Sequence, residues 1–380
     1  MALASTTPLA SYDQSAGEFL DLSNELAEII RRDNTSFLSR VGISGEAVET
    51  THSWMEDSLN TNSATCAEAL DSSETTLDVA AGHGARFRIG TLFTLNVAGF
   101  TEVIQVTAIS TDALTIVRGY GSTSGQAGTA GTTDEIRIIA HPNQEGQDPN
   151  ADTSKVRTKV SNYTQIFQYG INVSHTMRSV LQAGVADEFT FQVARRLMEA
   201  MRELDSALVL GIKSASAGSD TVYRSMGGIV EFASQSTGNL TTTAEALTLS
   251  VVNAMAKQIW DDGGYPNFIL VGGKQKRAIS TFDQSARRSV YDSTVAGYVV
   301  DRVLTDLGFV LDVIVDPWML DDVAIVGDLN KVRVMPLRNS AMRAEDLAKT
   351  GAAFKAQIYG EYTAEFRNAI ESFAHHNNLT

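Results

Sequence analysis

The chain has little of what compact reactive sites and covalent cross-links require. Its 380 residues include one cysteine, Cys66, which excludes an internal disulfide and a multi-cysteine zinc site. No apolar run approaches the roughly 18 residues of a membrane-spanning helix. No basic residue precedes Arg31, so the sequence does not begin like a secretory signal peptide. We therefore expect a soluble protein, used where it is made, whose stability depends on side-chain packing and on contacts between subunits.

Lysine is absent from the first part of the chain. Residues 1–154 hold 7 arginines, no lysine and 21 acidic residues, whereas residues 155–380 hold 23 basic and 24 acidic residues. Nearly all of the net charge of −15 therefore belongs to the first part. Tight wrapping of nucleic acid needs clustered Lys and Arg side chains that displace phosphate counterions. The composition argues against that class of protein, but not against one that encloses packed DNA.

The first 60 residues combine a polar arm with one short helix. Residues 1–17 are small and polar, which is typical of a flexible arm. An amphipathic helix is predicted next, because four apolar residues recur at helical spacing: Phe19, Leu22, Leu26 and Ile30. Arg31 and Arg32 would lie in its last turn, where cations suit the helix dipole. Residues 51–59 are expected to be extended and anchored by Trp54.

Residues 75–140 have a different pattern. Short runs rich in Val, Ile, Thr and Leu alternate with turn residues such as Gly82, Gly99 and Asp112. Strands at such close spacing predict a small antiparallel barrel or sandwich. A long Gly/Ser/Thr loop is expected at residues 119–134 and a linker at residues 141–154. We interpret residues 61–150 as an inserted β module.

The second part of the chain mixes strands and helices. Alternation predicts a strand at residues 165–174, and three- and four-residue spacing predicts a long helix from about Ala186 to Lys213. The apolar face of that helix would comprise Phe189, Val193, Leu197, Met201, Leu204 and Leu208. A helix is predicted at residues 243–262, and a buried strand at residues 267–272 leads into another helix and further strands. Two α+β units with an inserted β module fit this order, so we assign the chain to the α+β class.

The segment ILVGGKQKR, residues 269–277, is the one that most resembles a phosphate site. A phosphate-binding loop needs the pattern GxxxxGK[ST]. Here the first glycine is missing at that spacing, and Gln275 replaces the hydroxyl residue. We interpret the segment as an ordinary strand-to-helix turn. Gly119–Gly125 resembles a nucleotide lid in composition alone, since no helical pattern follows it, and we expect a mobile surface loop there.

No other motif indicates a reactive centre. None of the six histidines stands in an HExxH motif, and we expect His375 and His376 to belong to a solvated tail. Cys66 has no histidine near it in sequence. Three acidic pairs are expected to be solvated charges at turns or helix ends: Glu56–Asp57, Asp261–Asp262 and Asp321–Asp322. We predict no catalytic, cofactor-binding or metal-binding residues, and no enzyme.

Two neighbouring arginines flank the apolar face of the long helix. Arg195 and Arg196 are expected to lie on a solvated face with local pairing, for instance between Arg195 and Glu199. A contact with another subunit, or with the interior of an assembly, is the alternative.

Five segments, taken in order, carry a resemblance that runs from about Asp21 to Ala374. They are the N-terminal helix with residues 33–42 and 51–59; residues 89–93, 102–103 and 114–123; residues 162–176 with the long helix to residue 213; residues 263–282; and residues 347–375. Together they resemble the major head protein family of tailed bacteriophages with the Hong Kong 97-type fold, in the subgroup that carries a β insertion in its extended loop. No single segment is decisive, and their shared order makes the match specific.

The resemblance implies a layout of five parts. These are an N-terminal arm with a short helix (1–60), an extended loop with an inserted β-barrel (61–154), a peripheral domain with the long spine helix (155–240), an axial domain (241–335) and a return to the peripheral domain (336–380). The implied fold class is α+β.

The resemblance also implies a function. It predicts a major capsid protein that self-assembles as hexamers and pentamers into an icosahedral or prolate head. That head would enclose double-stranded DNA without sequence-specific binding, as a virion capsid assembled in the host cytoplasm. Scaffold, portal and cement proteins are the implied partners, and no membrane partner is expected. We expect the acidic charge of residues 1–154 on the outer surface or against basic patches of other subunits.

One departure from the family is informative. Some members join a lysine of the extended loop covalently to an asparagine of a neighbouring subunit. Residues 1–154 contain no lysine, so this link is not expected in its usual form.

Three other functions remain open. A nanocompartment shell shares the fold but encloses enzymes, and usually has a simpler extended loop. An intracellular enzyme would use the strand–GGK–helix turn to bind phosphate. A tail or baseplate protein would account for the small β module, but less well for the long helix.

Overall fold

The computed structural model describes residues 36–127, 134–146, 148, 155–180, 185–235, 239–282, 301–349 and 351–380. The chain divides into two compact units. Unit 1 comprises Met1–Trp54 and Ser161–Thr380, and unit 2 comprises Met55–Val160. The predicted N-terminal arm and the helix predicted at residues 18–32 lie outside the described residues.

A pair of strands carries the chain between the units. β1 (Thr51–Glu56) pairs with β8 (Thr158–Tyr163) in a two-stranded sheet. Trp54 of β1 is buried, and its ring centroid lies 6.0 Å from that of Phe232. The prediction of an extended segment anchored by Trp54 is therefore confirmed for residues 51–56 of the predicted 51–59.

Unit 2 is built on six antiparallel strands: β2 (Ser63–Thr65), β3 (Thr76–Asp78), β4 (Leu92–Leu95), β5 (Ile104–Ser110), β6 (Ala113–Val117) and β7 (Glu135–Ala140). Their order in the sheet is β2-β7-β4-β5-β6-β3. The two outermost strands also meet, since Cys66 and Val79 form an antiparallel bridge just beyond them. The Ala67 amide donates to the Asp78 carbonyl at 2.8 Å, and the Ala80 amide donates to the Thr65 carbonyl at 2.9 Å.

Alternation along the strands builds the core of unit 2. In β6, Leu114 and Ile116 are buried while Thr115 and Val117 are exposed, as a half-buried strand requires. The buried cluster gathers side chains from all six strands, with Phe93 at 0% exposure. Gly84 fits where no other residue would, because a Cβ there would lie 1.8 Å from the Thr111 carbonyl oxygen.

A mixed six-stranded sheet forms the first part of unit 1. Its strands are β10 (Leu240–Thr241), β11 (Phe268–Val271), β12 (Arg302–Leu304), β13 (Val310–Val315), β14 (Ala324–Gly327) and β18 (Phe373–His376), in the order β10-β18-β14-β11-β13-β12. The β10–β18 and β11–β13 pairs are parallel. Helices α5 (Leu249–Asp261) and α6 (Gly273–Ser280) contact this sheet. All four residues of β11 are buried, which confirms the predicted buried strand.

A second sheet in unit 1 is organised by one long strand. β17 (Ala353–Phe366) pairs with β9 (Gln165–Ser174) on one side, and with β15 (Val332–Pro336) and β16 (Arg343–Asp346) on the other. The β9–β17 register runs unbroken from Ala353 opposite Ser174 to Tyr362 opposite Gln165. The strand predicted at residues 165–174 is confirmed with these bounds.

The long helix α3 (Glu188–Leu210) contacts β9 and β17. Asp187 caps its N-terminus by accepting from the Phe189 amide, and Gly211 follows its last residue. Its 23 residues span about 35 Å. The helix predicted at 186–213 is thus confirmed with shorter ends, as is the helix predicted at 243–262, which begins at Leu249 because Thr248 caps it.

The prediction placed one residue, Leu197, wrongly on the buried face of α3. Leu197 is 40% exposed, whereas Leu204 and Leu208 are buried. The buried side instead includes Ala200, because the sheet contacts the helix along a line slightly displaced from the predicted one. The remaining helices among the described residues are short: α1 (Ser36–Val41), α2 (His175–Ser179), α4 (Ile229–Ser234) and α7 (Ala369–Ser372). No helix in the described part of the chain is long and apolar enough to cross a membrane.

Candidate functional site

The strand-to-helix turn after β11 is filled by protein atoms. Gly272 precedes the first residue of α6, and a Cβ on it would lie 2.9 Å from the Met319 carbonyl oxygen. Gln275 is buried and donates from Nε2 to the Asp321 carbonyl at 2.7 Å. The residue that replaces the hydroxyl of a phosphate loop therefore ties α6 to a neighbouring loop, which is the structural role of an ordinary turn.

The C-terminal histidines do not lie in a solvated tail, and that prediction is wrong. His375 and His376 belong to β18 and are 3% and 1% exposed. The His376 ring lies 2.9 Å from Glu245 Oε1, whereas neither ring nitrogen of His375 has a hydrogen-bond partner. Burial lowers the pKa of His375 to about 4. In the described residues, no group of three or more His, Cys, Asp or Glu side chains lies together as metal ligands would.

Cys66 lies in the core of unit 2. It is 2% exposed, and burial together with the charges of Asp134 and Glu68 raises the pKa of its thiol to about 12. A thiol is a nucleophile as the thiolate, so these surroundings suppress its reactivity.

A buried ion pair organises the glycine-rich loop of unit 2. Glu102 is 0% exposed and accepts from Arg118 Nε at 2.8 Å and Nη2 at 2.6 Å. The amides of Gly119 and Gln126 donate to the same carboxylate at 2.8 and 2.7 Å. Burial opposes ionisation, but these hydrogen bonds hold the pKa of Glu102 below its ordinary value. The predicted surface position of Gly119–Gly125 is confirmed for most of the loop, and its backbone wraps a carboxylate of its own chain.

Unit 1 contains a second buried carboxyl cluster, which sequence reasoning missed. Asp205 of α3 and Asp316 after β13 are both 0% exposed. The Leu38 amide donates to Asp205 Oδ1 at 2.8 Å, and the Phe37 amide donates to Asp316 Oδ2 at 3.3 Å. The other oxygen of Asp205, Oδ2, is buried without a hydrogen-bond partner.

The surroundings of this pair favour a shared proton. Burial and the charge of Asp316 raise the pKa of Asp205 to about 7. Burial also raises the pKa of Asp316, against the hydrogen bond from the Trp318 amide. One proton on the pair removes an uncompensated buried charge. The cluster joins α1, α3 and the end of β13, so it holds the start of the described chain against the middle of unit 1.

Two further networks join distant segments of unit 1. Glu361 of β17 accepts from Arg224 and from the Thr164 hydroxyl, both at 2.5 Å. Glu365 of the same strand lies 2.6 Å from the His52 ring and 2.7 Å from Arg367 Nη2. These groups position β1, the segment before α4 and β17. Their arrangement is that of structural connections.

Two arginines of α3, Arg195 and Arg196, contact other side chains of the same helix. Arg196 pairs with Glu199, three residues on, and the Arg195 guanidinium lies 5.2 Å from the ring centroid of Phe191. Local pairing on this helix is therefore confirmed, with Arg196 as the residue that contacts Glu199. Of the predicted acidic pairs, Asp261 forms an exposed ion pair with Lys257.

Comparison with known proteins supplies the context for these connections. A family model described as SU10 major capsid protein matches residues 4–380. A search of curated proteins found no match.

Solved capsid structures share the fold. The capsid of a native GTA particle covers 100% of this chain and 100% of its own, with a TM-score of 0.52 and 10% identity. Mycobacterium phage Bobi covers 98% of this chain and 99% of its own, with a TM-score of 0.50 and 11% identity. The SrpI encapsulin of Synechococcus elongatus PCC 7942 covers 58% of this chain and 76% of its own, with a TM-score of 0.42 and 13% identity.

Proposed function

The chain belongs to the SU10 major capsid protein family, and from that membership we propose how its two units build a shell. It is a major capsid protein of a tailed phage with the Hong Kong 97-type fold. The family match over residues 4–380 is the observation that carries this conclusion. We propose that copies of the chain assemble as hexamers and pentamers into an icosahedral or prolate head.

The layout of the subunit follows the order of the elements. We assign unit 2, the excursion of the chain between β1 and β8, to the extended loop with its inserted β structure. α3, packed on β9 and β17, is assigned to the spine of the peripheral domain. The six-stranded sheet of unit 1, with α5 and α6, is assigned to the axial domain, and β16 and β17 to the return. The strand pairing and the division into two units support these assignments.

Reinforcement of the shell is proposed to be noncovalent. The loop between Met55 and Ser154 contains no lysine, so it lacks the amine that the family's covalent link requires. Burial of apolar surface between subunits, or a separate cement protein, would supply the stability instead.

The head is proposed to enclose double-stranded DNA without reading its sequence, and to be assembled in the host cytoplasm with scaffold and portal proteins. Residues 1–154 carry 21 acidic residues and 7 arginines, which disfavours close contact between this part and phosphate. We propose that this acidic charge faces outwards or contacts basic patches of neighbouring subunits.

Electron microscopy of the expressed full-length chain, with and without its proposed scaffold, tests this function. Closed shells that display hexamers and pentamers are the expected particles. Tubes or rings would instead indicate a tail or baseplate protein. Cargo enzyme density inside shells, without a portal vertex, would indicate a nanocompartment. Nucleotide binding in calorimetry by a monomer would contradict a structural role.

A further inference from the structure

Two buried carboxylates fasten the helix α1 to the rest of unit 1. The Leu38 amide donates to Asp205 Oδ1 at 2.8 Å, and the amide of the preceding residue, Phe37, donates to Asp316 Oδ2 at 3.3 Å. Neighbouring amides of one short helix therefore hold one carboxylate on α3 and another just beyond β13. We call these two carboxylates and two amides the α1 latch.

The carboxylates of the α1 latch are withdrawn from water. Both side chains are 0% exposed. Asp316 Oδ1 accepts from the Trp318 amide at 2.9 Å, so both of its oxygens have a donor, whereas Asp205 Oδ2 is buried without a partner. Burial disfavours a charged carboxylate, and a second carboxylate beside it makes ionisation of both more costly still.

No neighbouring cation offsets this cost. The other charged side chains on α1, α4, β13, β15 and the part of α3 from residue 202 onwards are Arg40, Arg202, Glu203, Glu231, Asp312 and Arg333. Three of them are exposed, Arg202 acts on Tyr169, Glu231 accepts from the Lys213 amide, and Asp312 pairs with Arg302. The charge that acts on Asp205 is that of Asp316, and within the described residues no cation acts on either carboxyl.

The two residues that supply the amides also supply the apolar contacts of α1. The helix has six residues, which is too short for it to be stable by itself. Its buried side chains are Phe37 and Leu38, and the Phe37 ring centroid lies 6.0 Å from that of Phe268. Loss of the amide hydrogen bonds would therefore loosen the packing of α1 at the same place.

Docking of α1 is linked to a proton on the carboxyl pair. In the docked state the pair holds one proton, whereas water would reach both carboxylates after detachment, and both would ionise. Docking is therefore favoured at low pH and weakens as the pH rises to about 7, the value to which burial and Asp316 raise the pKa of Asp205. At higher pH the docked state has itself lost the proton, so the dependence levels off.

We propose that the α1 latch depends on a proton: α1 stays docked while Asp205 and Asp316 share one, and it detaches ahead of the rest of unit 1 once that proton is lost. The subunit thereby has a local opening, at the junction of α1, α3 and the end of β13, that responds to pH near neutrality. The latch belongs to a single subunit, so it does not depend on the assembly proposed above.

Hydrogen exchange of the full-length chain, measured by mass spectrometry, tests the latch. The exchange rates of the α1 peptide (Ser36–Val41) are divided into the intrinsic rates at each pH to give protection factors, and α5 (Leu249–Asp261) is the reference helix. The expected result is a loss of about tenfold in the protection of α1 between pH 6 and pH 8, with little further loss at pH 9. No comparable loss is expected in α5.

Asp205→Asn supplies the decisive variant. The amide oxygen can still accept from Leu38, and the amide nitrogen takes the place of Oδ2 and can donate to Asp316, so the variant mimics the protonated pair without titrating. We expect the protection of α1 to be equal at pH 6 and pH 8. Asp316→Asn is the second variant, and it is expected to weaken docking at both pH values and to reduce the pH dependence, because it leaves a single carboxylate.

Asp328→Asn is the matched control. It changes a buried carboxylate outside the α1 latch that accepts from the Asn330 amide at 3.0 Å, and it should keep the tenfold loss. Three results would overturn the proposal. They are equal protection of α1 at pH 6 and pH 8 in the unaltered chain, an undiminished loss in both latch variants, and a loss in α5 as large as that in α1, which would show that unit 1 opens as a whole.

Discussion

The two units bury carboxylates in opposite ways. In unit 2, Glu102 is surrounded by an arginine and backbone amides, and it stays ionised with a lowered pKa. In unit 1, Asp205 faces Asp316 and has one buried oxygen without a partner, and its pKa rises to about 7. A buried carboxylate that is fully hydrogen-bonded makes a folded unit indifferent to pH near neutrality. One that must share a proton makes stability depend on pH.

The units also differ in how far apart their bonded residues lie in sequence. In unit 2, the pair Glu102–Arg118 spans 16 residues. In unit 1, the Phe37 amide reaches Asp316 across 279 residues, and Asn162 reaches the Ala364 carbonyl across 202. Contacts of such separation form late in folding, because loop closure must come first. We therefore expect unit 2 to fold before unit 1 is complete.

Arg118→Ala removes the cation of the buried ion pair in unit 2, and we expect it to lower stability more than the other variants do. It leaves Glu102 buried beside two amides with no cation, and we expect unit 2 to lose about 3–5 kcal/mol of stability. Thermal unfolding measures the loss, and alkylation of Cys66 under native conditions reports the opening of unit 2. Arg157→Ala, which removes an exposed pair with Asp57, is the control and is expected to cost less than about 1 kcal/mol. Equal effects of the two variants would contradict our account of Glu102.

Asp205→Asn should move unit 1 towards the behaviour of unit 2. Because the folded pKa of Asp205 is raised, the folded state holds a proton that the unfolded state has released. Its contribution to stability therefore falls as pH rises from about 4 to about 7. The amide still accepts from Leu38 and cannot ionise, so we expect a gain of about 2–4 kcal/mol at pH 8 and none near pH 4. Denaturant unfolding across this pH range measures both, and a loss at pH 8 would contradict the shared proton.

His375→Leu tests how the stability of unit 1 depends on pH in the acid range. The folded pKa of His375, about 4, lies below its ordinary value, so stability is present above pH 6.5 and is lost as pH falls towards 4. At pH 5 this loss amounts to about 2 kcal/mol. The variant should remove this loss of stability at low pH, and unfolding midpoints at pH 5 and pH 8 measure the change. His175→Leu replaces an exposed histidine and is the control for the loss of an imidazole side chain.

Lys257→Ala gives the smallest expected effect. Lys257 and Asp261 form an ion pair at the surface of α5, with 61% and 48% of their side chains exposed. Water screens such a pair, so we expect a change of less than about 0.5 kcal/mol in the free energy of unfolding. A loss comparable to that of Arg118→Ala would show that exposure does not separate the two kinds of pair.

Local patterns predicted the elements better than their connections. β9 and α3 were predictable because alternation and helical spacing are properties of a single segment. The order β2-β7-β4-β5-β6-β3 was not, since no local signal tells β7 to lie beside β2. The Asp205–Asp316 cluster was missed for the same reason, because 111 residues separate its members in the sequence.

The error at His375 has a physical cause. Two adjacent histidines close to a chain end are usually solvated, and their own segment offers no apolar run that would indicate otherwise. Here β18 is held between β14 and β10, so its neighbours decide its burial. Leu197 shows the reverse case, in which an apolar residue at the right spacing falls just outside the contact with the sheet.

The antiparallel β-bridge between Cys66 and Val79 affects how the strands of unit 2 behave when many subunits lie close together. Strands with unpaired amides and carbonyls are templates for pairing with another chain. In unit 2, the residues that follow β2 and the residues that follow β3 hydrogen-bond to each other. Few of their backbone amides and carbonyls therefore remain to pair with a strand of another chain. A capsid brings many copies of this module close together, and in each copy these backbone groups are already hydrogen-bonded within the module.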